Sequence, residues 1–169
     1  MPRPQATDFP HYFARYISRV ESDSLSQAMA TYAKPLAEFY TNLPEAKAGY
    51  RYAPGKWTLK ELLQHIVDTE RIMSYRLLRI SRGDTTPLAS FDEDSYAAAS
   101  NANARNFDSI KEEFLTVRKS TDLLIASLSE EQLALEGVAS NLPVKANAVG
   151  YIIFGHMLHH KAVLEEKYL

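Results

Sequence analysis

Two histidines, His156 and His160, stand one helical turn apart in the run Val149-Gly-Tyr-Ile-Ile-Phe-Gly-His-Met-Leu-His-His-Lys-Ala-Val-Leu164. At that spacing both imidazoles leave the same face of a helix, where they can share one metal ion. They also share a row with Val149, Ile153 and Val163, which reads as the core-facing stripe of an amphipathic helix. An imidazole on such a stripe needs partners, because burying a polar ring without them costs about 1–3 kcal/mol. The plainer arrangement hydrogen-bonds one ring in the core and leaves the other half exposed. A third ligand tilts the balance towards metal, and His65, on a separate amphipathic segment, can supply it. Three neutral imidazoles leave a coordination position open for water or substrate, the pattern of a catalytic rather than a closed structural site. Zinc or nickel, or another borderline divalent ion, suits nitrogen donors. His159 is the rival on a neighbouring face of the same helix, and His11 is expected to be exposed. Asp68 and Glu70 are the candidate catalytic acids, able to orient an imidazole or move a proton. Glu70 lies in the middle of an apolar stripe and, if buried, would need an arginine or a metal-bound water as partner, so a structural ion pair is its competing role.

Four long helices would have to carry these groups. The first opens at Ser24-Leu-Ser-Gln27, which matches a capping box, and continues through Leu25, Met29, Tyr32, Leu36, Phe39 and Leu43. Pro35 predicts a kink in it and Pro44 its end. A shorter amphipathic piece is expected between Phe9 and Val20. The second long helix opens at a second capping box, Thr58-Leu-Lys-Glu61, with Trp57 and Leu62 placed as a hydrophobic staple. It should run to about Arg82, with Leu59, Leu62, Ile66, Met73, Leu77 and Ile80 buried, and stop at Gly83-Asp84. The connection from Gly83 to about Asn103 is long for a compact domain, has room for a short helix, and is of a length that is often functional. Phe107, Ile110, Phe114, Val117, Thr121, Leu124 and Leu128 mark the third long helix, and Ser129 to Leu133 a further helical turn. Gly137 to Asn141 reads as loop, and Pro143 as the first turn of the last helix. Gly150 and Gly155 lie inside that helix, at positions suited to close helix approach or to room for a ligand beside His156. No run alternates as a strand would. The expected fold is all-α, a single four-helix bundle spanning 1–169, with its topology open.

Composition narrows the function classes. A net charge of −2 gives no support to binding nucleic acid or a membrane surface, which would want clustered positive charge. The absence of cysteine excludes disulfides, thiolate metal sites and a cysteine nucleophile. The first residues hold no signal-like apolar run, and no stretch reaches the ~18–20 apolar residues of a membrane span. A soluble, cytoplasmic protein is expected. The paired Glu-x-x-His motifs of carboxylate di-iron bundles and the His-Glu-x-x-His of thermolysin-type proteases are both missing.

The chain resembles the DinB-like superfamily of metal-dependent bundle proteins along nearly its whole length. The resemblance runs through Tyr52-Ala-Pro-Gly-Lys-Trp-Thr-Leu-Lys-Glu-Leu-Leu-Gln-His65, Asp68-Thr-Glu-Arg-Ile72, Tyr75-Arg76, Arg82-Gly-Asp84, Gly155-His-Met-Leu-His-His160 and Glu166-Lys-Tyr-Leu169. It implies a bundle, a homodimer, and a divalent metal held by His65, His156 and His160, the residues that spacing also selects. Relatives include transferases and isomerases that use low-molecular-weight thiols. The expected function is therefore metal-dependent transfer of such a thiol to an electrophilic small molecule, with the thiol as cosubstrate. The alternatives are a metal-dependent hydrolase and a non-catalytic, metal-stabilised ligand-binding or stress-response module.

Overall fold

Helix accounts for 63% of the chain, and a computed structural model describes residues 1–169. Seven α-helices follow one another: α1 (Ala14–Ile17), α2 (Leu25–Thr41), α3 (Leu59–Ser81), α4 (Glu93–Ala99), α5 (Phe107–Ala126), α6 (Glu130–Ala134) and α7 (Ala146–Lys167). A hairpin of β1 (Glu136–Ala139) and β2 (Leu142–Lys145) separates α6 from α7.

The long helices start where side chains can satisfy their first amides. Thr58 and Glu61 form a complete, reciprocal capping box at α3. At α2 the box is displaced: Ser24 accepts from the Gln27 amide, but the Gln27 side chain accepts from the Asp23 amide instead of that of Ser24. The helix runs on through Pro35 to Thr41. Asp92 caps α4 within the long connection, which thus holds a short helix as expected.

The sequence expectation of no strand is corrected. Glu136 to Ala139 pair antiparallel with Leu142 to Lys145, and Leu88 joins as a further bridge through its bonds to Val138 and Ser140. The turn at Ser140-Asn141 takes positive φ at both residues (54° and 64°), the geometry of a tight two-residue hairpin. Gly137 is what lets the hairpin lie on α3, since a Cβ there would come within 2.6 Å of Ile80 Cγ1. Pro143 accordingly sits in β2, opposite Val138, and α7 begins later, at Ala146.

Among the long helices, α2 packs against α5 and α7, and α3 packs against the same two. The sequence neighbours α2 and α3 therefore occupy opposite corners, as do α5 and α7, so those two connections cross the bundle, whereas the connection from α3 to α5 joins adjacent helices. Every residue of α7 from Ala146 to Met157 is buried, because α1, α2, α3, α6 and β2 all pack against this helix. It is the central post of the molecule, buried all round in its first three turns.

Candidate metal centre

The site lies where α3 faces the middle of α7. Gly155 makes it possible: a Cβ at this position would meet the Tyr16 carbonyl oxygen at 2.2 Å, so only glycine lets α1 rest directly on α7. That contact turns Tyr16 edge-on to His156 and His159, at 5.4 and 5.5 Å between ring centroids. On the opposite side Trp57 stacks on His65 at 4.6 Å. Aromatic walls thus enclose the imidazoles from both flanks.

His65, His156 and His160 converge, with their candidate ligand atoms all within 4.8 Å of one another. His156 Nε2 lies 3.1 Å from His65 Nε2 and 3.1 Å from His160 Nε2. A single neutral Nε2 offers either one proton or one lone pair, so it cannot satisfy both neighbours by hydrogen bonding. A cation at the centre would satisfy all three lone pairs. Tetrahedral bonds of about 2.0–2.1 Å imply nitrogen–nitrogen separations of about 3.3 Å, close to those observed. The donor set fits a divalent metal.

Electrostatics favour the neutral, ligating form of each ring. Burial pushes His65 down to about 4, and neighbouring His159 adds to the effect. Burial also holds His156 and His160 well below the usual histidine range, reinforced by repulsion from the other rings and Arg15. Thr69 Oγ1 lies 3.5 Å from His65 Nδ1, placed to accept from it and so leave Nε2 free to ligate. His160 Nδ1 is buried without a protein partner.

The two candidate acids lie elsewhere. Glu70 is buried and pairs with Arg118 of α5 at 2.8 Å. Arg118 is also paired with Asp122 and lies over the Phe154 ring. Asp68 accepts from Gln64 Nε2 at 3.0 Å and faces a shallow surface hollow with Arg71 and Tyr96. Neither acid lines the cavity above the histidines. His159, half-buried, does line it, beside Tyr16. His11 is exposed.

The cavity is about 450 Å³ and is bounded by the α1 region, α3, the start of α4, the hairpin and α7. Sequence reasoning used Trp57 only as a staple and gave no role to Tyr16, Arg76 or Glu93, all of which line it. One signal was present: His65, Thr69, Met73 and Arg76 follow one another at helical steps of four, four and three. All four line the cavity.

A family model described as the DinB superfamily matches residues 33–164. A candidate metal-dependent hydrolase of Oceanobacillus iheyensis is 29% identical over 82 residues, spanning 48% of this chain and 47% of that protein. The chain thus matches about half the length of this curated relative. YfiT from Bacillus subtilis, described as an inferred metal-dependent hydrolase with an unusual four-helix bundle topology, superposes with a TM-score of 0.66 at 14% identity. That likeness covers 97% of this chain and 91% of YfiT. Mycothiol-dependent maleylpyruvate isomerase superposes with a TM-score of 0.63 at 14% identity, covering 92% of this chain and 61% of the isomerase. At these identities the likeness is one of fold.

Proposed function

Since the chain belongs to the DinB superfamily, we propose that it is a divalent-metal-dependent enzyme of the four-helix-bundle type, its ion held by the Nε2 atoms of His65, His156 and His160. The observation that carries this reading is the meeting of three imidazole nitrogens, too crowded to satisfy one another, at a cavity. Zinc or nickel suits the all-nitrogen donor set. When bound, such an ion supplies Lewis acidity that makes a thiol or a water molecule nucleophilic near neutral pH.

The protein's own groups prepare that chemistry. Thr69 Oγ1, beside His65 Nδ1, is placed to favour the tautomer that leaves Nε2 free, and Trp57, tilted against His65, and the edge-on Tyr16 pack the imidazoles in place. Asp68 and Glu70 take no step here, since both lie outside the cavity. The cavity has space for a small-molecule electrophile and a second reactant, within the range usual for ligand sites. The leading reaction is transfer of a low-molecular-weight thiol to that electrophile. The chain has no cysteine, so the thiol must arrive as a cosubstrate. The shared fold with a mycothiol-dependent enzyme supports this reading. Hydrolysis is the second reading, favoured by the descriptions of the Oceanobacillus relative and YfiT.

Metal-loaded protein assayed with several thiols against electrophiles, and with simple esters and amides, separates the readings. Turnover that requires the thiol supports transfer; turnover without it supports hydrolysis. Ligand binding with neither activity would overturn the enzyme reading in favour of a binding module. A homodimer belongs to the same proposal, and the exposed Leu115 and Leu123 of α5 offer apolar surface for it.

A further inference from the structure

Three turns along α3 from His65, the same cavity meets a buried cation that has no counter-ion. Arg76 is only 4% exposed. Its Nη2 donates to the Ala89 carbonyl at 2.7 Å and to Ser140 Oγ at 3.1 Å. Its Nη1 meets only Met73 Sδ, at 3.8 Å. No carboxylate pairs with it, and no protein oxygen accepts from Nη1 or Nε. The other buried arginine of the chain shows the contrast: Arg118 is neutralised by both Glu70 and Asp122. A guanidinium stays protonated in proteins, so Arg76 cannot escape its burial by losing its charge.

The rest of the lining does not balance that charge. Arg15 adds a second cation at the mouth, held by the Tyr12 and Tyr16 hydroxyls. Glu93 is the one carboxylate of the lining, exposed in the first turn of α4 and unpaired with Arg76. Between the histidines and Arg76 the surface is largely apolar, with Met73 and Ile152 from the helices and Phe91 across from them. Phe91 lies 6.0 Å from the Arg76 guanidinium and flanks it.

We infer that Arg76 is an anion subsite, and that this cavity takes a small molecule with an apolar body and a carboxylate at the end remote from the histidines. The inference rests on the reading of the cavity as the substrate site. Ala89 and Ser140 take both Nη2 protons, so Nη1 and Nε, on different edges of the guanidinium, keep N–H groups that no protein oxygen accepts and that an anionic oxygen can accept. His65 and Arg76 are eleven residues apart on one helix, about 16 Å along its axis. A ligand that touches both ends is therefore extended. The carboxylate can belong to the electrophile or to the thiol.

The test uses 4-phenylbutyrate and its neutral amide as probes, titrated calorimetrically into the metal-free full chain. The acid should bind at least tenfold more tightly than the amide. Arg76→Gln should abolish that preference, and Arg76→Lys, which keeps the charge but not the planar guanidinium, should keep part of it. Equal binding of acid and amide to the parent would overturn the inference, as would an undiminished preference in a folded Arg76→Gln. Should that variant fail to fold, the acid–amide comparison and Arg76→Lys still decide. Metal content separates this inference from the reading beneath it. A parent that takes up no metal but prefers the acid loses the enzyme reading and keeps the anion subsite.

Discussion

His65, His156 and His160 each bring one Nε2 to a common point, so none can substitute for another. Alanine at any of the three should lower divalent-metal affinity by at least tenfold while the far-ultraviolet spectrum stays helical, because the apolar core does not depend on them. His159→Ala should be much milder, since that ring packs against Tyr16 instead of joining the cluster. Metal content of the purified variants checks this, and loss of metal from His159→Ala with retention in His160→Ala would reassign the ligand. The same rings set a pH dependence. Their folded values are depressed below the reference of about 6.5, so the unfolded chain binds more protons below that pH. Their contribution to stability is therefore complete above about pH 6.5 and is lost as the pH falls towards about 4, where His65 titrates in the folded protein. Glu70, pushed up by burial, titrates with the opposite sign. Comparing urea midpoints of the metal-free parent and His65→Ala across this window isolates the imidazole. The variant should show the shallower slope, and identical slopes would mean that His65 is not held neutral by the fold.

Between elements, two contacts invite substitution. Gly155→Ala would drive a Cβ into the Tyr16 carbonyl, which is backbone and cannot rotate away. A loss of about 1–3 kcal/mol is expected, in spite of the better helix propensity of alanine. Gly150→Ala meets only the methyl tips of Leu25, which can shift, so its denaturant midpoint should move less. Glu70→Ala strands Arg118 in the core with only Asp122 as partner, at a cost of about 3 kcal/mol, and should leave metal content unchanged. Falling metal content in that variant would bring Glu70 back into the site. These elements also show what was legible in the sequence. Capping chemistry located α3 to the residue, because the Thr58–Glu61 pair is local. The Glu70 partner was expected to be an arginine or a metal-bound water, but Arg118 was hidden because Val117 and Thr121 complete a good heptad without it. The hairpin was invisible: its strands are four residues each, contain Gly137 and Pro143, and their residue types, Glu-Gly-Val-Ala and Leu-Pro-Val-Lys, do not alternate polar with apolar. The periodic row in α7 found His156 and His160 but not the burial on its other faces, which depends on helices remote in sequence. The three-histidine cluster was readable from spacing; the Arg76 end of the cavity became evident only when Ala89 and Ser140 were brought beside it.

At the scale of the molecule, the cavity is a meeting of segments that the chain order keeps far apart. Its oligomeric state has a direct check: sedimentation at micromolar concentration should give twice the chain mass of 19.1 kDa, and a monomer throughout would remove the homodimer from the proposal. No helix is long and apolar enough to cross a membrane. The seat of α1 on α7 has a consequence for how the protein is made. Residues near Tyr16 leave the ribosome well before the glycine on which they rest, Gly155, is made. Until then the chain holds α2, α3 and α5 without their central post, and Tyr16, Ile17 and Val20, all buried in the finished protein, have nothing to cover them. Contacts of such sequence separation are slow to form. The cavity therefore cannot form until α7 is made, and its earliest-made wall waits as an apolar stretch for its partner, a natural point of engagement for a chaperone.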